Sequence, residues 1–211
     1  MRKSLLILSA VCFATTAHAQ LHSRNSSYAG LKIGGSAATF SGDVPANMRP
    51  LYGLNGGIFV HLPLGRPFSV QPEVLYSMKG AQNPAYYNDV TTWLNYIDVP
   101  VSFRAATSQG FFLEAGPQLG ILLTAKSDAT GEKVNVKSAY RPVDFGFVLG
   151  AGYQPRKGGL GIGGRYNASF DTILKGGADG TIAANTQNSV FQVFLTYSRP
   201  TFHKPTKRKD K

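Results

Sequence analysis

The chain has 211 residues, of which 16% are charged, with 24 glycines, 13 phenylalanines and 10 tyrosines. That is enough for one domain and for a small closed barrel, and a composition so poor in charge and rich in glycine and aromatics fits long strands and tight turns better than helices. The formal net charge is +11, but Lys204, Lys207, Arg208, Lys209 and Lys211 crowd the last residues against Asp210 alone, and in an exported chain that run is weak grounds for nucleic acid as a partner.

Residues 1–19 read as an export signal. Arg2 and Lys3 form a basic head, Leu5 to Phe13 an apolar run, and Ala17-His18-Ala19 the small-residue site that predicts cleavage before Gln20. The run is too short to cross a membrane as a helix. Cys12, the single cysteine, lies inside it behind Ser9-Ala10-Val11, a poor lipobox. The mature chain is therefore expected to have no disulfide, thiolate nucleophile or cysteine metal site. Loss of Arg2 and Lys3 takes the formal charge from +11 to +9. Residues 20–27 are polar and are expected to be a mobile spacer; Asn25-Ser26-Ser27 matches a glycosylation sequon and is given no weight.

From Tyr28 onward the sequence alternates with period two, the pattern of strands with one apolar and one polar face. The first stretch, Tyr28 to Phe40, sets Ala29, Leu31, Ile33 and Ala37 against Gly30, Lys32, Gly34 and Ser36. The second, Leu51 to Leu62, sets Tyr52, Leu54, Ile58, Val60 and Leu62 against Gly53, Asn55, Gly57 and His61. After the tight turn Pro63 to Pro67, the third alternates almost without fault from Phe68 to Lys79, with Glu73 and Lys79 on its polar side. A polar link from Gly80 to Val90 leads to the fourth, Trp93 to Arg104, which carries Asp98 and Arg104. The turn Thr107 to Gly110 precedes the fifth, Phe111 to Leu123, with Glu114. A link from Lys126 to Arg141 leads to the sixth, Val143 to Gln154, with Asp144. The turn Pro155 to Gly159 precedes the seventh, Leu160 to Asp171, with Arg165. The longest link, Thr172 to Asn188, leads to the eighth, Phe191 to Ser198. Pro72, Pro100 and Pro117 each predict a bulge or strand end.

Eight strands of about 9–11 residues or more, joined by connections that alternate long and short, match an antiparallel up-and-down transmembrane barrel over residues 28–199. The polar faces collect Lys32, Glu73, Lys79, Asp98, Arg104, Glu114, Asp144 and Arg165, a balanced set of acids and bases, while the apolar faces are almost free of charge. In a dry soluble core each such charge would cost several kilocalories unless paired. An outer face without charge is what lipid requires, so the charged face is predicted to line the lumen. Aromatics at strand ends, including Tyr28, Phe40, Tyr52, Phe68, Trp93, Phe111, Tyr153, Phe170 and Tyr197, are expected in the interfacial girdles.

The segments Gly30 to Ser36 (GLKIGGS), Val70 to Gly80 (VQPEVLYSMKG), Tyr96 to Val101 (YIDVPV), Leu113 to Leu123 (LEAGPQLGILL) and Arg165 to Ile173 (RYNASFDTI) follow one another along most of residues 28–199. They resemble the PorT-like outer-membrane β-barrel proteins of Bacteroidota. That resemblance implies the barrel fold and an outer-membrane location, and it implies little about activity. The type member is linked to protein secretion and gliding machinery, and no motif carries that role to this chain.

Other motifs dissolve on inspection. Gly159 to Gly164 alternates glycines inside a strand with no helix after it, so it is not a dinucleotide loop, and Gly131-Glu132-Lys133 is not a P-loop. Barrel enzymes that trim lipid A typically rely on His with Ser and an acid, whereas His22, His61 and His203 fall before the barrel, beside a short turn and in the tail. No metal-ligand spacing and no cofactor motif is present. The expected function is a non-enzymatic barrel with a structural or surface and envelope-interaction role; the alternative is a narrow small-solute channel, and behind both stands a lipid-modifying enzyme. The charged set is expected mainly to fill and rigidify an interior only just wide enough for side chains. The expected partners are outer-membrane lipid and, through the basic periplasmic tail 200–211, an envelope protein or the cell wall; the barrel is expected to be a monomer that binds no nucleic acid. The tail repels itself and is expected to be disordered.

Overall fold

The computed structural model describes residues 27–84, 89–128, 131–156, 158–175 and 185–200. The expected export signal with Cys12, His22, the Gly176 to Gly180 run, His203 and the basic tail lie outside the described residues. Nine strands are described: β1 (Tyr28–Gly42), β2 (Arg49–Gly65), β3 (Phe68–Pro84), β4 (Asp89–Ala106), β5 (Phe111–Asp128), β6 (Lys133–Asn135), β7 (Val143–Tyr153), β8 (Gly159–Ser169) and β9 (Thr186–Pro200). All pair antiparallel. Each of β1 to β5 hydrogen-bonds to the next, β5 continues to β7, β8 and β9, and β9 returns to β1, closing a ring of eight. The short β6 lies on the far end of β5 outside the ring.

Alternation decides which way each side chain points, and it does so without exception across the charged face. Lys32, Glu73, Asp98, Arg104, Glu114 and Arg165 are buried inside, whereas Leu31, Ile33, Leu54, Phe103, Leu113 and Phe145 stand outward with more than half their surface exposed. A soluble fold would leave that outer surface in water. In a bilayer it is the surface that lipid covers.

Three expectations are corrected. The stretch Gly80 to Val90 is mostly strand, because β3 continues to Pro84 and β4 begins at Asp89; β5 likewise reaches Asp128 and β9 starts at Thr186. Above the apolar band water replaces lipid, so both faces can be polar, alternation fades, and the ladder still continues. Pro72, Pro100 and Pro117 sit in unshifted registers; the shifts fall between Pro50 and Asn55, Pro63 and Gly65, and Asn95 and Tyr96. A proline removes one donor, but a one-residue slip would turn the lumen charges to lipid, so the register resumes unchanged past it. Finally, Tyr28 and Phe40 are buried in the lumen rather than in a girdle, since they share the parity of Lys32. Tyr52, Phe68, Phe111 and Phe170 do face outward, and Trp93 is half-buried beneath the Lys133 ammonium, 4.7 Å from its ring centre.

Ile33 lies near mid-height of the outer face of β1, between Gly56 of β2 and Leu195 of β9. Ile33→Arg is expected to destabilise the folded barrel by about 2–4 kcal/mol in phosphatidylcholine vesicles, measured by urea unfolding.

Candidate functional site

The lumen brings all eight of the sequence-predicted charges inside and into ion-pair contact. Glu73 is the hub: its carboxylate accepts Lys32 Nζ at 2.6 and 2.8 Å, Arg165 Nη1 at 2.9 Å and Gln71 Nε2 at 2.7 Å. These donors come from β1, β8 and β3 itself, so the contact crosses the barrel. Gln71 in turn accepts from Arg104 Nη1, and Arg104 Nε lies 3.0 Å from Glu114 Oε2. On the far side Arg165 Nε donates to Gln192 at 2.7 Å, and Asn167 bridges Gln192 to Gln118. A second cluster nearer the other end places Lys79 Nζ 2.9 Å from Asp98 and 3.7 Å from Asp144, with Asn188 donating to Asp144 at 2.9 Å.

Aromatic rings complete the filling. Lys32 lies 4.1 Å from the centre of the Phe194 ring, Lys79 4.5 Å from Tyr96, and the Arg104 guanidinium 3.5 Å from Phe112. Each pairing adds attraction between a cation and a ring face, stronger where water is excluded. These rings need bare backbone opposite them. A Cβ on Gly30 would stand 2.5 Å from Phe59 Cζ, and one on Gly163 2.5 Å from Phe194 Cζ. At Gly30, Gly152 and Gly163 the space a side chain would take is thus filled by a neighbouring ring. Gln71 and Asn167 share the parity of Glu73 and Arg165 on their strands, whereas β9 carries no lumen charge and Gln192 and Asn188 share the parity of the buried Phe194 and Thr196.

In bacterial barrels the tight turns face the periplasm and the longer connections face outward. The outer mouth is therefore the end where Phe40, Leu94, Tyr96, Leu122 and Ile173 bury together, with Val44, Met48, Val136 and Tyr140 against them. Ile173 belongs to the connection between β8 and β9; its N–H donates to Thr186 O and its carbonyl accepts from Arg141 N, both at 2.7 Å. Beside it Arg141 Nη1 donates to Asp171 at 2.6 Å, and this pair is open to solvent.

At the periplasmic mouth His61 stacks on Tyr28 with ring centres 4.3 Å apart. Ser69, which lines the same mouth, has a buried hydroxyl without a hydrogen-bond partner, so no Ser–His dyad forms there.

The profile described as "Outer membrane protein beta-barrel domain" matches residues 18–175, well over half of the chain. The chain belongs to that family. It is an outer-membrane protein. Among solved structures it is similar to Neisserial surface protein A, at 13% identity over 81% of this chain and 96% of that one with a TM-score of 0.50, a likeness of fold. Ail, the attachment invasion locus protein of Yersinia pestis, matches at 13% identity over 82% of this chain and 99% of that one, TM-score 0.46. OprG from Pseudomonas aeruginosa matches at 9% identity over 85% and 97%, TM-score 0.33. No curated protein sequence matches the chain.

Two outcomes follow from this geometry. Arg104→Ala removes the only cation in contact with Glu114 among the described residues, and the buried carboxylate left behind is expected to cost about 3–5 kcal/mol in detergent unfolding. At the outer rim, the Thr172 N–H and then Arg141 hold the Asp171 carboxyl below its ordinary range. The stability this contributes is present above the unfolded carboxylate value and lost as pH falls through the lowered folded one. In an NMR titration Arg141→Gln is expected to raise the Asp171 midpoint without restoring it fully, because the Thr172 N–H remains.

Proposed function

We propose that the protein is a closed, non-enzymatic outer-membrane barrel with a structural or surface and envelope-interaction role. The observation that carries this reading is the buried apolar cluster of Phe40, Leu94, Tyr96, Leu122 and Ile173 across the outer mouth, above a lumen whose charges are already paired. A solute would have to displace that cluster and then break the Lys32–Glu73–Arg165 contact to pass. Structural filling is the role assigned to Lys32, Glu73, Lys79, Asp98, Arg104, Glu114, Asp144 and Arg165. The non-enzymatic part of the reading draws support from His61, which is engaged in a ring stack with Tyr28 rather than in a hydrogen bond with Ser69. The ordered motifs from Gly30 to Ile173 further favour the PorT-like branch in Bacteroidota. In this reading residues 1–19 are an export signal, the barrel is a monomer, and the tail 200–211 contacts the cell wall or an envelope protein.

Planar bilayers test the closed state. The purified barrel is expected to give no discrete conductance, before or after Glu73→Gln. Steps that appear and change size on neutralising Glu73 or Arg104 would establish a channel instead. A pull-down from native membranes tests the interaction role, for which a stable complex is expected.

A further inference from the structure

The charges of the chain sort by level. In the lumen four bases meet four acids. Around the outer connections Arg49, Lys126, Lys133, Lys137, Arg141 and Lys175 meet Asp43, Asp89, Asp128, Glu132 and Asp171, with Asp179 following in the same connection as Lys175. The periplasmic end has no such balance. Arg66, Arg156 and Arg199 lie there without an acid among the described residues; in the sequence Lys157 adjoins Arg156, and the basic run after Pro200 contains Asp210 as its sole acid.

This end is also where the lumen opens. A cavity of about 390 Å3 lies inside the ring, lined by Arg66, Arg104, Arg156, His61, Ser69 and Gln154 with aromatic and proline neighbours, and no carboxylate is in its wall. Its deepest cation is held in place beforehand. Arg104 is 4% exposed, stacks on Phe112, and is fixed by Glu114 and Gln71. Beside it Ser69, also 4% exposed, has a buried hydroxyl without a hydrogen-bond partner. Arg66 and Arg156 stand on two different turns across the opening, exposed and without an ion pair among the described residues.

We propose that this vestibule is a docking site for an acidic periplasmic peptide, with one carboxylate accepting from Ser69 and Arg104 and flanking carboxylates meeting Arg66 and Arg156. A buried, unpaired hydroxyl next to an anchored guanidinium is a ready oxyanion seat, since charge-assisted bonds to a fixed donor are strong and little ordering is needed on binding. Several cations spread around one opening match a chain bearing several carboxylates better than a single small anion. The cavity lies within the ring of strands, so it faces the periplasm along the barrel axis, whereas lipid headgroups meet the outer wall. The inference rests on the envelope-interaction reading and gives that partner a chemistry; the conductance measurement can fail without affecting it.

The test uses the full chain in phosphatidylcholine nanodiscs and a fluorescent, acetylated and amidated tetraglutamate peptide read by anisotropy, with folding checked by heat-modifiable migration. Arg66→Gln with Arg156→Gln is expected to weaken binding about tenfold and to flatten its salt dependence. Ser69→Ala, which changes no charge, is expected to weaken it about threefold. Neutralising Lys207, Arg208 and Lys209 together is expected to leave most of the affinity in place. The proposal is overturned if the peptide does not bind, if only the tail variant loses binding, or if the arginine pair affects only retention of phosphatidylglycerol in mixed nanodiscs.

Discussion

The Glu73 carboxylate is the point on which the interior turns. It sits on β3, yet its partners Lys32 and Arg165 come from β1 and β8, so a single acid ties together strands that do not all neighbour one another in the ring. Two cations converging on one carboxylate would leave excess charge in a water-poor interior, and the surroundings answer this with dipoles and rings. Gln71 donates to Glu73, Gln192 accepts from Arg165, and Phe194 lies against both cations. Buried ion pairs give little net stability when compared with apolar filling, but a half-satisfied network costs far more than a complete one. Each lumen charge lies against an opposite one, and because these contacts join β1, β3, β4, β5, β7 and β8, a one-residue slip on any of those strands would break them.

This constraint explains why the barrel wall is so rich in glycine on its inner side. Eight strands enclose a space barely wider than the side chains pointing into it. Four cations, four acids and the rings of Phe59, Phe112, Phe194 and Tyr96 can share that space only if other positions contribute no side chain. Gly152 faces Phe112 and Gly120 faces Asp98 and Tyr96 at distances no Cβ could tolerate without a shift. Glycine, costly in a strand for its entropy, is here the complement of a large neighbour.

Much of this was legible in the chain because period-two alternation has only two phases. Once Lys32 or Asp98 is assigned to the lumen, the direction of every other side chain on the same strand follows, which is why the charged set and the outward Leu31, Ile33 and Leu113 could be placed without coordinates. Tyr28 and Phe40 point inward although they are aromatics at strand ends, because parity with Lys32 outweighs position along the strand. Strand length was harder, because alternation reports the lipid boundary and not the end of the ladder, and β3, β4, β5 and β9 all extend into water. The apolar plug could not be read at all. Ile173 lies in a polar connection, and its burial depends on contacts with Phe40, Leu94 and Leu122, which the chain brings together only after the ring closes.

Glu73 and Arg165, 92 positions apart in the chain, act as one unit across the lumen. A double-mutant cycle with Glu73→Ala, Arg165→Ala and the pair, measured by urea unfolding in lipid vesicles, tests it directly. The double variant is expected to be more stable than the sum of the single losses by about 0.5–3 kcal/mol, because Glu73→Ala alone leaves both Lys32 and Arg165 buried without an acid, whereas the double variant leaves only Lys32 so. Single losses that simply add would show that the two groups are separately hydrated and that the lumen is not held by their contact.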